Sequence, residues 1–260
     1  MAISEFNELE VEELIKSFFN DKTHIIPKET ANLSEKSKKD YEITIYAIKK
    51  IILELLERQN LDISSVSIIG SGYYSDTIKV GEYVVKVGFP RENRGVPYSK
   101  HIIQPLISYK IKMGVNIEVQ NLVDAKWWEI KDENGNIIRE LSEEEIEEEL
   151  FKVYCNLRKE NIVWKDIKKE NVGRLLKKNS SNFDIEYINK DGEKDSYEMQ
   201  MSDASLDVVG REDGENEILP AGELVIIDRD YLVGKGTWTP QNPTKTKNEE
   251  FGKRYESMEK

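Results

Sequence analysis

The sequence predicts an α+β protein, and three observations carry that expectation. Apolar residues recur at helical spacing before residue 62, alternate with polar ones from Val66 onward, and return to helical spacing after Ser142. The order suggests a helical amino-terminal extension over 1–62, a strand-rich segment over 63–125, and a mixed segment over 126–260 that carries a hairpin insertion at 177–222.

The first helix is expected in EFNELEVEELIKSFFN, where Phe6, Leu9, Val11, Leu14, Ile15, Phe18 and Phe19 stand between acidic residues. A second and longer one follows a loop with Pro27. Ser34 is positioned to cap it, and Tyr41, Ile45, Ile48, Ile52, Leu55 and Leu56 form one stripe. Such stripes usually pack on a neighbouring domain. Three short strands are then predicted at 65–70, 75–80 and 82–88, the last two joined at the Val80-Gly81-Glu82 corner. LISYKIKM and VNIEVQNLV supply two more, so five antiparallel strands form a small sheet. WWEIKDENGNIIREL reads as a hairpin turning at Asn134-Gly135. Ser142 caps a helix whose acidic first turn suits the dipole and whose buried face is Ile146, Leu150, Val153 and Leu157. Cys155 on it reads as a small, partly buried residue. FDIEYINKDGEKDSYEMQM suggests another hairpin at Asp191-Gly192, ELVIIDRDYLV a buried strand ending in carboxylates, and the tail an extended segment with a short helix.

The 260 residues carry 38 Lys and Arg against 50 Asp and Glu, a formal net charge of −12. That field repels phosphate backbones and excludes a general nucleic-acid binder. The single cysteine excludes an intrachain disulfide and fits a reducing compartment. The amino terminus is acidic where a signal peptide would be basic, and no run approaches 18 apolar residues. A cytoplasmic protein without a membrane span is expected, with export by a route that uses no cleaved signal left open. His24 and His101 stand apart from any ligand-spaced carboxylates.

Three segments carry chemistry. Gly70-Ser71-Gly72 lies in a strand turn that lets a phosphate approach closely, and Lys86 on a neighbouring strand offers it a point charge. In NIVWKDIKKENVGRLL, Asp166 falls in a loop after a helix and Asn171 before a short strand. That spacing lets a carboxylate face an incoming hydroxyl while an amide oxygen reaches a metal ion. Asp228, at the end of a buried strand, suits Mg2+ bridging phosphates.

WKDIKKEN resembles the protein kinase catalytic loop H-R-D-[LI]-K-P-E-N, matching at Asp166, Ile167, Lys168, Glu170 and Asn171, with Trp164, Lys165 and Lys169 replacing the His, Arg and Pro. VVKVG resembles the strand with the kinase lysine, GSGYYS a shortened glycine-rich loop, and IDRD an altered D-F-G. The resemblance covers roughly 65–232. It implies a kinase-like two-lobe fold, with a five-stranded antiparallel N-lobe sheet, a reduced helical C-lobe and preceding helices. It also implies ATP and Mg2+ as cofactors. Asp166 would orient the acceptor hydroxyl and take its proton, and Lys168 would stabilise the transferring phosphoryl group. Asn171 and Asp228 would hold Mg2+, Lys86 the α- and β-phosphates, and Gly70 and Gly72 would cover them. Asn121, Val123 and Asp124 fall in NLVDA, the hinge position that binds adenine.

The chain departs from the family in two places. Glu92 is the glutamate available to pair with Lys86 as a helix glutamate does in kinases; otherwise the pairing is supplied elsewhere or absent. After Asp228 only 32 residues remain, without A-P-E, too few for an activation segment and a full helical subdomain. The chain looks like a minimal Ser/Thr protein kinase, similar to the short kinase-like effectors of bacterial pathogens. A protein substrate follows, with activity either constitutive or dependent on an activating partner protein. Lys168 favours a protein acceptor, whereas the D-x-D at Asp228 and Asp230 resembles small-molecule kinases of the aminoglycoside and choline type. A pseudokinase binding module and AMP transfer to protein are the other readings.

Overall fold

The computed structural model describes residues 5–22, 35–71, 75–88, 99–103, 105–111, 115–177, 184–188, 194–195, 219–227, 232–234 and 245–259. The chain is mixed α+β and divides into two compact units, one of residues 1–90, 105–122 and 182–200, the other of 91–104, 123–181 and 201–260.

The first unit begins with helices α1 (Glu5–Lys22) and α2 (Glu35–Gln59). Val11 and Ile15 of α1 are buried, and α2 buries far more than one stripe: Ile43, Ile45, Ile48, Ile51, Ile52, Leu55 and Leu56 all join the core. The reason is that α2 contacts α1 as well as the sheet. Lys16 and Lys49 both bind Glu12, at 2.6 and 2.8 Å, and these two ammonium groups hold its carboxyl down at about 2.

Strands β1 (Val66–Ser71), β2 (Ser75–Val80), β3 (Tyr83–Gly88), β4 (Pro105–Ile111) and β5 (Val115–Asn121) form the five expected antiparallel strands, in the spatial order β1-β2-β3-β5-β4. Alternation sorts them into two faces. Ile78, Val80, Val85, Val87, Ile117 and Val119 face the helices and share their core. Thr77, Lys86, Glu118 and Gln120 lie on the opposite face, as the register requires. The β2–β3 corner is a two-residue turn whose Gly81 has a φ of +58°. A side chain there would be strained, and a Cβ would also meet the Gln59 oxygen at 2.3 Å. Gln59 fastens the turn to α2: its amide nitrogen donates to Leu55 O and Val80 O, and its oxygen accepts from Glu82 N.

In the second unit, β6 (Val123–Asp124) is followed by the hairpin of β7 (Glu129–Lys131) and β8 (Ile137–Glu140). Its loop spans five residues and turns about Asp132, whose Oδ1 accepts from the backbone nitrogens of Asn134 and Asn136. Gly135, with φ +84°, provides the reversal. Helix α3 (Glu143–Lys159) starts with a complete capping box between Ser142 and Glu145, and two residues past its end Asn161 reverses the chain in the left-handed region at φ +61°. Strands β9 (Ile162–Trp164) and β10 (Val172–Leu175) flank the loop of interest.

The next hairpin, β11 (Asp184–Ile188) with β12 (Lys194–Asp195), belongs to the first unit. β11 runs parallel to β4, so the five strands become seven. The sequence places this hairpin within an insertion of the last segment; in the structure it lies along the β4 edge of the sheet, while α1 and α2 pack on the sheet's apolar face as their stripes predict. The Asp191-Gly192 turn lies outside the described residues.

β13 (Leu224–Ile226) completes a three-stranded β13-β10-β6 sheet, and β14 (Leu232–Gly234) pairs with β9. The terminal helix α4 (Lys245–Met258) docks on α3 through Phe251, whose ring meets those of Phe151 and Tyr154 edge-on at 5.1 and 5.6 Å. Cys155 is half-buried there, and burial pushes its thiol up. Among the described residues no helix is long and apolar enough to cross a membrane.

Candidate functional site

The stretch from Asn161 to Leu175 is built as a braced loop. Asn161 turns the chain out of α3 into β9, where Ile162 and Trp164 are buried and Trp164 pairs with Leu232. Ile167 anchors the middle of the loop in the same core. A short turn at Lys169–Asn171 then leads into β10, with Asn171 N donating to Lys168 O. Two further bonds fix the turn from outside. The Trp127 indole donates to Lys169 O at 3.1 Å, and Ile227 N donates to Asn171 O at 2.9 Å. Ile227 directly follows Ile226, so the end of the strand Leu224–Ile226 is tied by one backbone bond to the loop.

Within this frame Asp166, Lys168 and Asn171 meet. The buried Asn171 amide donates to the Asp166 carbonyl and to Asp166 Oδ2, each at 2.9 Å. Lys168 Nζ lies 2.7 Å from the same Oδ2. The Lys168 side chain is 49% exposed and that of Asp166 only 15%. A partly exposed ammonium therefore leans on a carboxylate that the core holds still. Among the described residues Asp166 Oδ1 takes no hydrogen bond, so one oxygen of the carboxylate is presented while the other is held. Both Asn171 amide protons serve Asp166, which leaves its oxygen as the atom a metal ion would take.

Gly173 explains how β10 fits between its neighbours. A Cβ there would stand 2.4 Å from Val123 Cγ2 and 3.1 Å from Ile227 Cγ2. Only a residue without a side chain lets β6 and β13 close on β10. Val123 and Asp124, expected at the hinge, thus pair with Leu175 and Arg174. The Asp124 carboxylate accepts from Lys126 N at 3.0 Å and lies 3.7 Å from Lys131 Nζ.

Trp164, where the resemblance expects a histidine, is fully buried, and its indole N–H meets no acceptor among the described residues. Trp127 is buried as well, and Trp128 stacks edge-on against it while receiving Lys169 Nζ 4.7 Å from its ring centroid. The role of Trp127 in holding the Lys169 carbonyl was hidden from the sequence, since 42 residues separate them.

In the first unit, Gly70 and Lys86 lie in one transverse row: Gly70 opposes Thr77, and Thr77 opposes Lys86. A Cβ at Gly70 would meet nothing closer than 3.8 Å, and its φ is not positive. Neither crowding nor backbone conformation among the described residues demands glycine there. Asn121 ends β5 opposite Tyr83. Gly72, Glu92, Asp228 and Asp230 lie outside the described residues, as does His24. The structure thus brings together Asp166, Lys168 and Asn171 in one unit, and Gly70 and Lys86 in the other. No protein-family model and no curated protein matches the chain.

Proposed function

We propose that this protein is an ATP- and Mg2+-dependent phosphotransferase with a protein kinase-like two-lobe fold, the first unit acting as N-lobe and the second as a reduced C-lobe. It transfers the γ-phosphoryl group to a protein hydroxyl, as a minimal Ser/Thr kinase would. The observation that carries this reading is the Asp166 carboxylate, held on one oxygen by Asn171 and Lys168 with the other presented. Phosphoryl transfer asks for little covalent work from a protein and much positioning. Asp166 would orient the acceptor hydroxyl and accept its proton. Lys168, exposed enough to swing from the carboxylate, would meet the charge on the transferring group.

The residues fit the implied cofactors. Mg2+ takes few protein ligands and keeps water and phosphate oxygens for the rest. The Asn171 amide oxygen and the Asp228 carboxylate would hold it, and it would neutralise phosphate charge when bound. Gly70 and Gly72 would let the backbone approach the phosphates, Lys86 would contact them, and Asn121, Val123 and Asp124 would line the adenine position. At Gly70, space for a side chain that the protein leaves empty supports such an approach.

Incubation with ATP labelled at the γ or α position, Mg2+ and a cell lysate tests the proposal, beside Asp166→Asn. The expected result is γ-label on protein, lost in the variant. Label found on small molecules instead would move the acceptor class. Transfer of α-label, or nucleotide binding without transfer, would overturn the kinase reading in favour of AMP transfer or a binding module.

A further inference from the structure

We propose that the cleft between α1 and α2 is a binding site for a small organic anion, a phosphate or carboxylate head on an apolar or aromatic body. The cleft is a cavity of about 520 Å³. Small-molecule sites span roughly 300–1,000 Å³. It lies within the first unit, on the helices that cover the apolar face of the sheet, whereas Lys86 stands on the opposite face. The site is therefore separate from the nucleotide position proposed above and does not depend on it.

Its walls differ in kind. Ile43 and Ile45, both buried in the core, form the deep apolar wall, and the half-buried Tyr41 and Tyr46 add two aromatic ones. Three ammonium groups, those of Lys16, Lys39 and Lys49, line the cavity against two carboxylates, Glu12 and Glu42. The lining is thus net positive in a chain whose net charge is −12. Lysine offers donors only and meets a phosphate or a carboxylate alike as a point charge. The chain itself shows that a carboxylate seats there: Glu12 lies 2.6 Å from Lys16 Nζ and 2.8 Å from Lys49 Nζ. Lys49 is fixed in place, its side chain only 15% exposed and its ammonium 5.9 Å from the Tyr46 ring centroid. Lys39 makes no ion pair among the described residues. Burial pushes the Tyr41 phenol up, opposed by Lys16, so Tyr41 stays a hydroxyl able to donate. An incoming anion would meet Lys39 and Tyr41 first and then compete with Glu12 for the other two ammonium groups. That competition gives the proposal a sign that a purely structural Glu12 would not show.

The test is methyl NMR of the full chain labelled at its isoleucines, with Ile43→Val and Ile45→Val identifying the two signals. The probe is phenyl phosphate; inorganic phosphate supplies the head alone and benzyl alcohol the body alone. Phenyl phosphate is expected to move both signals saturably and to bind more tightly than either half. Lys39→Gln should weaken it about five- to tenfold, the size of a coupling between contacting charges. Glu12→Gln should tighten it, because the internal carboxylate no longer competes. Thermal melts check that the variants are folded; if Glu12→Gln melts early, Glu42→Gln carries the comparison, with a smaller gain of the same sign. Unmoved Ile43 and Ile45 signals would overturn the proposal. So would inorganic phosphate binding as tightly as phenyl phosphate, the mark of a counter-ion surface only, or weaker binding in the glutamate variants. A phosphotyrosyl peptide that binds far more tightly than phenyl phosphate would overturn the small-molecule class in favour of a protein partner.

Discussion

At the scale of single residues, the Asp166-Lys168-Asn171 group and Gly173 make opposite demands on their neighbours. Asn171 contributes through what its amide donates, so Asn171→Ala removes both bonds to Asp166 from a buried position. Urea denaturation is expected to show a loss of about 1–3 kcal/mol, and the proposed phosphotransferase reading adds that any transfer activity is lost with it. Gly173 contributes through what it lacks. Gly173→Ala should cost about 1–3 kcal/mol by forcing Val123 aside, and adding Val123→Ala to the same chain should recover much of it, measured the same way. If the double variant is no more stable than Gly173→Ala, the Val123 contact is not the cause. The residues of the loop could be read from sequence because their spacing of two and five places them on one short loop. The row shared by Gly70, Thr77 and Lys86 could not, because it depends on strand register, which no spacing along the chain encodes. Trp127 was hidden for the same reason: its acceptor is far away in sequence.

At the scale of elements, two ionisable groups tie segments together and make those ties sensitive to pH. Glu12 joins α1 to Lys49 of α2, and its carboxyl is lowered to about 2 by its lysines. A lowered carboxyl stabilises the folded state above its unfolded value near 4.3 and loses that contribution as pH falls toward 2. Acid titration of thermal stability should therefore fall less steeply below pH 4.5 in Glu12→Gln than in the parent. His101 works in a different range. It is buried, with Nε2 3.8 Å from Glu160 Oε1 at the end of α3, and its carbonyl accepts from Ile226 N of β13. Burial pushes its imidazole down, opposed by Glu160 and Glu223 and aided by Lys100 and Lys159. A lowered histidine costs stability as pH drops below its ordinary value near 6.5, because the unfolded chain then binds the proton more readily. The melting temperature should drop between pH 7.5 and 5.5 in the parent and drop less in His101→Gln; equal slopes would remove His101 as the cause. The helices themselves were well marked in sequence, since Ser142 and its Glu145 partner cap α3 as their spacing predicts. The extent of burial on α2 was not, because one stripe shows what faces a single neighbour and α2 has two.

At the scale of the molecule, the order of elements was legible and their grouping was not. Period and turn residues located the five strands within one or two positions, yet strand pairing across distant segments obeys no local signal. The helices before residue 62 belong to the same compact unit as the sheet that follows them. They bury Val85, Val87, Ile117 and Val119 from the outer side of the sheet. Each such side chain is worth about 1.5–3 kcal/mol when removed from water. A chain lacking residues 1–62 is expected to bind hydrophobic dye and aggregate, while the parent does neither. A soluble, dye-free truncation with unchanged circular dichroism would show that the helices are dispensable.

β11 gives the folding chain an asymmetric history. During synthesis the strands β1 to β5 are all made by residue 121, but the strand that lies along β4 arrives only at 184–188. Over that interval β4 presents a row of unpaired backbone groups, the kind of border that recruits strands from other chains. At the opposite border β1 is kinked by a bulge between Ile68 and Gly70, which spoils a regular template. Chains that stall or are cut between residues 122 and 183 would thus be sticky on one side only, and would associate in pairs through β4 rather than grow into fibres.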